Sequence, residues 1–182
     1  TMIDSTMQVN GELHHTLLAF FSKHARFTVA SHETLIHSYA PADHVFFLEE
    51  GIVKLTTVTS KGQELCLNLF KPGSFFPLME ALADLPNQYA FTAVFPCSGW
   101  KAPAAAVKEF LHTHPAENYD LSVRLLRGLH GTLLKTEKLM QHDARALLIQ
   151  TLQTLSQRFP TRTTGPQTID LPLTHQQLAE LT

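Results

Sequence analysis

Eleven histidines and two cysteines are the side chains of this chain best suited to hold a metal or a redox group. Their spacing makes no ligand set. Cys66 and Cys97 form no Cys-x-x-Cys pair, so neither a zinc site nor a disulfide framework is expected, and a reducing cytoplasm is the default setting. His14-His15 and the pair His112/His114 lack the i,i+4 spacing with an acidic partner that puts two imidazoles on one metal. His130 and His142 are the histidines to consider for haem or metal sensing, because both lie on or beside a long helical segment. Covalent chemistry finds no inventory: there is no Gly-rich phosphate loop, no G-x-S-x-G and no H-E-x-x-H. The paired acids Glu49-Glu50 precede a glycine and read as solvated turn residues. The chain is not expected to be an enzyme.

The elements that would carry a site fall into three textures. With 44% apolar and 16% charged residues the chain is an ordinary globular one, with no apolar run of membrane-spanning length and no secretory signal in Thr1 to Glu12. Asn10 to Phe27 has Leu13, Leu17, Leu18, Phe20 and Phe21 at helical spacing. From Phe27 to about Lys101, short apolar runs alternate with breaks such as Pro41-Ala42-Asp43, Glu50-Gly51, Ser60-Lys61-Gly62 and Lys71-Pro72-Gly73, the pattern of a sandwich or barrel. Ser60-Lys61-Gly62 between two apolar runs predicts a hairpin turn.

Pro103 opens a second helical stretch with Val107, Phe110 and Leu111 on one face, broken at His114-Pro115. After Pro115, Ser122, Leu126, Leu129, Leu133, Thr136 and Met140 step by four and three in turn, the seam of a coiled coil. Leu121, Leu125, Leu129 and Leu139 form a stripe beside it. Two readings stand, a dimerisation helix and a helix buried within one chain, and the first is favoured because no other long helix precedes it as a partner. Asp143 suits an N-cap, Leu147, Leu148, Leu152 and Leu155 give the next helix its apolar face, and Phe159-Pro160 ends it. Ile169 to Leu173 reads as a strand and Thr174 as the cap of a last helix, His175 to Leu181. A helix that short is unstable alone, so the sequence predicts continuation past Thr182. Residues 1–114 carry seven Lys+Arg against ten Asp+Glu, and residues 115–182 seven against six, far from the basic footprint of a complete DNA-binding domain.

The order of these parts, with the text Ala42-Asp43-His44-Val45-Phe46-Phe47-Leu48-Glu49-Glu50-Gly51, then Ser60-Lys61-Gly62-Gln63-Glu64 and Leu69-Phe70-Lys71-Pro72-Gly73-Ser74-Phe75-Phe76, resembles the Crp/Fnr superfamily of bacterial transcription regulators over essentially the whole chain. Leu173 to Thr182 resembles the family's first helix of the helix-turn-helix. The resemblance implies an α+β chain: a double-stranded β-helix (the cyclic-nucleotide-binding-like β-roll) over 1–114, a dimerisation helix over 115–142, and over 143–182 the start of a winged helix-turn-helix. It implies DNA, a second copy of the chain and RNA polymerase as partners, with no membrane partner. Thr174, His175 and Gln176 match positions where family members touch the DNA backbone, and Ser122, Leu126, Leu129, Leu133, Thr136 and Met140 would form the dimer interface.

The departures bear on the effector. Nucleotide-binding members carry a Gly-Glu-Leu after the Pro-Gly turn and, further on, an Arg-Ser or Arg-Thr. The Arg and backbone amides hold the cyclic phosphate and the Glu holds the ribose. Here Leu78 stands in place of that Glu, Gln88 and Tyr89 in place of the Arg and its hydroxyl partner, and no Arg or Lys lies between Lys71 and Lys101. A buried phosphate needs a charge partner, so cyclic AMP is not the expected ligand. No cysteine precedes Cys66, which argues against the iron–sulfur cluster of the Fnr branch. Phe75, Phe76, Leu78, Met79, Gln88, Tyr89 and Phe91 are the expected lining of a pocket for a small apolar or aromatic effector. The same residues could instead fill the core of a roll that binds nothing. The sequence therefore predicts a ligand-responsive DNA-binding regulator without a certain cofactor. A haem- or redox-responsive regulator of the same family, and a ligand-free sensor or interaction protein with no DNA role, stay open beside it.

Overall fold

A computed structural model describes residues 11–140 and 144–158. The expected cap at Asp143, His142, the helix end at Phe159-Pro160, the strand Ile169 to Leu173 and the helix His175 to Leu181 with Thr174, His175 and Gln176 all lie outside the described residues. Two compact units are present, one spanning Val9–Tyr119 and the other beginning at Asp120.

The first unit starts with α1 (Gly11–Phe21). It is shorter than its periodicity suggests, because Phe27 is claimed by strand β1 (Ala25–Val29), where it pairs with Gly99. Seven more strands follow: β2 (Thr34–Ile36), β3 (His44–Glu50), β4 (Val53–Val58), β5 (Glu64–Phe70), β6 (Phe75–Phe76), β7 (Ala90–Ala93) and β8 (Cys97–Pro103). Between β6 and β7 sits a short helix, α2 (Leu78–Ala83), which the sequence did not announce. It has a single apolar turn after Pro77 and no length over which a period can show. The strands form two four-stranded antiparallel sheets, ordered β1-β8-β3-β6 and β2-β7-β4-β5. Between them lies the core of Ile36, Leu48, Val53, Phe76, Phe91, Ala93 and Cys97.

Turn chemistry fixes the registers. The β4–β5 hairpin closes as predicted: the Thr59 amide donates to the Gln63 carbonyl at 2.8 Å and the Gly62 amide to the Thr59 carbonyl at 2.9 Å, with Gly62 at φ +78°. The Lys54–Glu64 ion pair ties the two strands. Gly51, between β3 and β4, has φ +91°, and a Cβ there would stand 2.4 Å from the Pro96 carbonyl oxygen and 2.6 Å from Cys97 Sγ. Only glycine meets both demands.

The first sheet is covered on its outer face as well. Phe21 of α1 stacks on Phe47 of β3 at 5.5 Å and lies 5.5 Å from Phe75 of β6. Helix α3 (Ala104–Thr113) buries the expected Val107, Phe110 and Leu111, and Phe110 meets Phe20 of α1 at 4.3 Å. Helix α4 (Pro115–Met140) runs from the first unit into the second, which also holds α5 (Ala144–Arg158). No helix among the described residues is long and apolar enough to cross a membrane.

Candidate functional site

Side chains alternate between the faces of a strand, so the pairing registers decide which residues of the β-roll look inward. Phe46 pairs with Phe76, and Phe47 with Phe75. Phe76 therefore joins the core between the sheets, fully buried, while Phe75 turns to the outer face with Phe21 and Phe47. Inside, the rings form one connected stack. Phe46 lies 5.7 Å from Phe76 at an interplanar angle of 3°, and Phe76 lies 5.3 Å from Phe91 at 14°. Phe70 lies 5.2 Å from Phe76 and 5.8 Å from Phe91, and Phe27 meets Phe46 edge-on at 5.3 Å. Phe46, Phe70, Leu55 and Tyr89 are only partly buried, so the stack reaches the rim of the roll.

The seven residues expected to line one pocket are thus not brought together as one set. Phe76 and Phe91 meet in the stack, Tyr89 packs against the same core, and Leu78 is buried at the start of α2. Phe75 lies on the other face of its sheet. Met79 is 56% exposed and Gln88 is also exposed. One turn of α2 cannot direct Leu78 and Met79 the same way, and Gln88 flanks a loop whose inward position Asn87 takes.

Asn87, next to the expected lining residues Gln88 and Tyr89, is a buried polar residue that sequence reasoning missed. It is buried, its Nδ2 donates to the His37 carbonyl at 3.1 Å and to the Tyr89 carbonyl at 3.0 Å, and its Oδ1 accepts from the Tyr89 amide at 3.1 Å. The Tyr39 amide donates to the Asn87 carbonyl at 3.0 Å. Asn87 therefore clamps the 37–40 loop to the segment that delivers Tyr89. In the sequence Asn87 follows Pro86, and nothing local to such a pair tells a clamp from an exposed turn. No cluster of three or more potential metal ligands occurs among the described residues.

On α4 the coiled-coil positions form an uncovered stripe: Leu126 is 64% exposed, Leu129 56%, Leu133 59% and Met140 76%. Ser122 and Thr136 are exposed in the same row, and the Thr136 hydroxyl donates to the Thr132 carbonyl at 2.9 Å. Leu121, off the seam, is buried. Arg124 donates through Nε to Asp120 Oδ2 at 2.6 Å, an i,i+4 ion pair away from the seam. His130, on this helix, is exposed.

A roll of two antiparallel sheets followed by a long helix with an open leucine stripe is the architecture of the Crp/Fnr regulators, and comparison with known proteins gives the same class. The family described as Cyclic nucleotide-binding domain matches residues 26–114. The Global nitrogen regulator of Nostoc sp. is 31% identical over 159 residues, covering 84% of this chain and 70% of the relative. The cAMP-activated global transcriptional regulator CRP of Pasteurella multocida is 24% identical, covering 96% of this chain and 84% of the relative. Among solved structures, the c-di-GMP responsive global regulator CLP of Xanthomonas campestris aligns with a TM-score of 0.76 at 21% identity, covering 91% of this chain and 83% of that one. The chain belongs to the Crp/Fnr superfamily of bacterial transcription regulators.

Proposed function

We infer that the chain is the sensing and dimerising portion of a ligand-responsive, DNA-binding regulator whose effector is a small apolar or aromatic compound and not a cyclic nucleotide. The observation that carries this reading is the interior of the roll. The Phe46–Phe76–Phe91–Phe70 stack gives it an aromatic surface that stays partly open at Phe46 and Phe70, Leu78 stands where a ribose-binding acid would be, and no cation lies between Lys71 and Lys101 to hold a phosphate. The names of relatives and neighbours support a family whose effectors differ: one is cAMP-activated, one c-di-GMP responsive, and another, CprK, was solved in complex with OCPA. In this reading residues 1–114 sense, 115–142 dimerise through the α4 stripe, and 143–182 open a winged helix-turn-helix. There Thr174, His175 and Gln176 rest on the DNA backbone, and RNA polymerase is a further partner. A DNA partner places the protein in the cytoplasm.

The test is equilibrium dialysis of the protein against cyclic AMP and against phenol and indole, paired with promoter-fragment retention by the full coding sequence. The expected result is saturable binding of an aromatic probe with a change in DNA retention. Micromolar binding of cyclic AMP with none of the aromatic probes would overturn the effector assignment. Absence of retention on any promoter fragment would overturn the DNA role.

A further inference from the structure

The registers that place Phe76 inside the roll place a charged side chain in the same row, across Phe46. Lys101 of β8 pairs with Ala25 of β1 on one side and with Phe46 of β3 on the other, and Phe46 pairs with Phe76. Ala25, Lys101, Phe46 and Phe76 thus form one transverse row on the same face of the first sheet. That face is the core-facing one, because Cys97 and Gly99, which alternate with Lys101 along β8, meet the core at Cys97 and face Leu48 and Phe27 at Gly99. Adjacent strands lie about 5 Å apart, so the Lys101 backbone is about 10 Å from that of Phe76, and a lysine side chain covers much of that span.

Along the inward faces of both sheets, the described strand residues contribute two side chains able to carry positive charge and no carboxylate: Lys101, half-buried, and His44, exposed at the start of β3 opposite Pro103. The opposing face of the second sheet offers Val53, Leu55, Phe70, Phe91, Ala93 and Asn68. The carboxylates of the roll that find cations do so elsewhere: Glu49 with Arg26, Glu64 with Lys54 and Asp84 with Lys108. The Lys101 side chain has no ion pair with a described carboxylate. An ammonium drawn partly out of water gains from an anion brought to it, the more so in the low dielectric of an aromatic site.

We propose that Lys101 is the charge-recognising residue of the effector site, and that the effector is an aromatic anion. Its ring lies against the partly buried Phe46 at the rim of the stack, and its carboxylate meets the Lys101 ammonium. This rests on the assignment of the roll interior as the effector site and adds to it the ligand's charge and the residue that reads it. Lys101 is not a substitute for the phosphate-binding Arg of nucleotide-binding relatives, whose position is Gln88 at the far end of the α2–β7 connection. It approaches from β8 and suits a single carboxylate at the end of a flat ring.

The test is isothermal titration of the protein with phenylacetate and with its uncharged isostere phenylacetamide, in the native chain and in K101Q, K101R and H44Q, each checked for native circular dichroism. The native chain, K101R and H44Q are expected to prefer phenylacetate at least tenfold. K101Q is expected to bind phenylacetamide unchanged and to lose the preference. A native chain that binds both compounds equally, or a K101Q chain that keeps the preference, would overturn the role of Lys101 while leaving an apolar effector site intact. Failure of both compounds to bind would overturn the effector site itself and the present proposal with it.

Discussion

The uncovered stripe on α4 allows a dimerisation prediction with a number attached. Leu129 keeps 56% of its surface exposed in the single chain, at the centre of a row with Leu126, Leu133 and Met140. Full burial of a leucine side chain is worth about 1.5–3 kcal/mol, so covering the exposed half of Leu129 contributes about 1 kcal/mol per copy. A two-fold interface uses the same residue twice, giving about 2 kcal/mol per dimer. At about 1.4 kcal/mol per decade this corresponds to roughly a thirty-fold weaker Kd for Leu129→Ala. Alanine is the better helix former, so the loss is not one of helix stability. Val58, 66% exposed at the end of β4 and outside the stripe, is the control: Val58→Ala should leave the Kd where it was. Sedimentation equilibrium on the native chain and the two variants measures it. A Leu129→Ala chain that dimerises within two-fold of the native one, or a Val58→Ala chain equally weakened, would refute the assignment of this stripe as the contact.

Further expectations concern the frame around the site. Gly51→Ala meets the Pro96 carbonyl at 2.4 Å and a left-handed φ, adding strain of about 1–2 kcal/mol to overpacking of about 1–3 kcal/mol. Gly62→Ala meets nothing within 4 Å and should cost only the first of these, a difference that urea midpoints will show. Asn87→Ala leaves the His37 carbonyl and both backbone groups of Tyr89 without the partner they now have, and should destabilise by about 2–3 kcal/mol in the same assay. Burial pushes the Cys97 thiol up from its ordinary value. The folded state then holds the thiol proton more tightly than the unfolded chain does. Stability from this group is therefore complete below the usual thiol value of about 8.5 and is lost as pH rises through the folded value. Between the usual thiol value and the raised folded value, unfolding free energy should fall with pH more steeply in the native chain than in Cys97→Ala, and DTNB should label Cys97 only as the chain opens.

What the sequence made legible is what depends on neighbours along the chain. The 3.5-residue repeat of α4 needs no knowledge of the rest of the fold, so its stripe could be written down residue by residue, and the Ser60–Gly62 hairpin carries its own turn signal. The site was less legible because the first sheet is covered on both faces. In β3, Val45, Phe47 and Leu48 are all buried, and a strand apolar on both sides has no alternation to orient it. The same condition hides β8, where Ala102 and Ser98 on the outer face are as buried as Cys97 on the inner one, so hydropathy cannot say which way Lys101 points. Orientation comes from pairing with β1 and β3, strands some fifty to seventy-five residues away in the chain, and only that long-range register separates Phe76 from Phe75. This narrows the inference drawn from a missing arginine. A gap in basic residues between Lys71 and Lys101 argues against a buried phosphate and, while the strands are taken one at a time, offers no charge for any other anion. Once the strands are paired, the residue that ends the gap stands in the same row as Phe46 and Phe76, and the absence of a phosphate clamp no longer implies the absence of an anion partner.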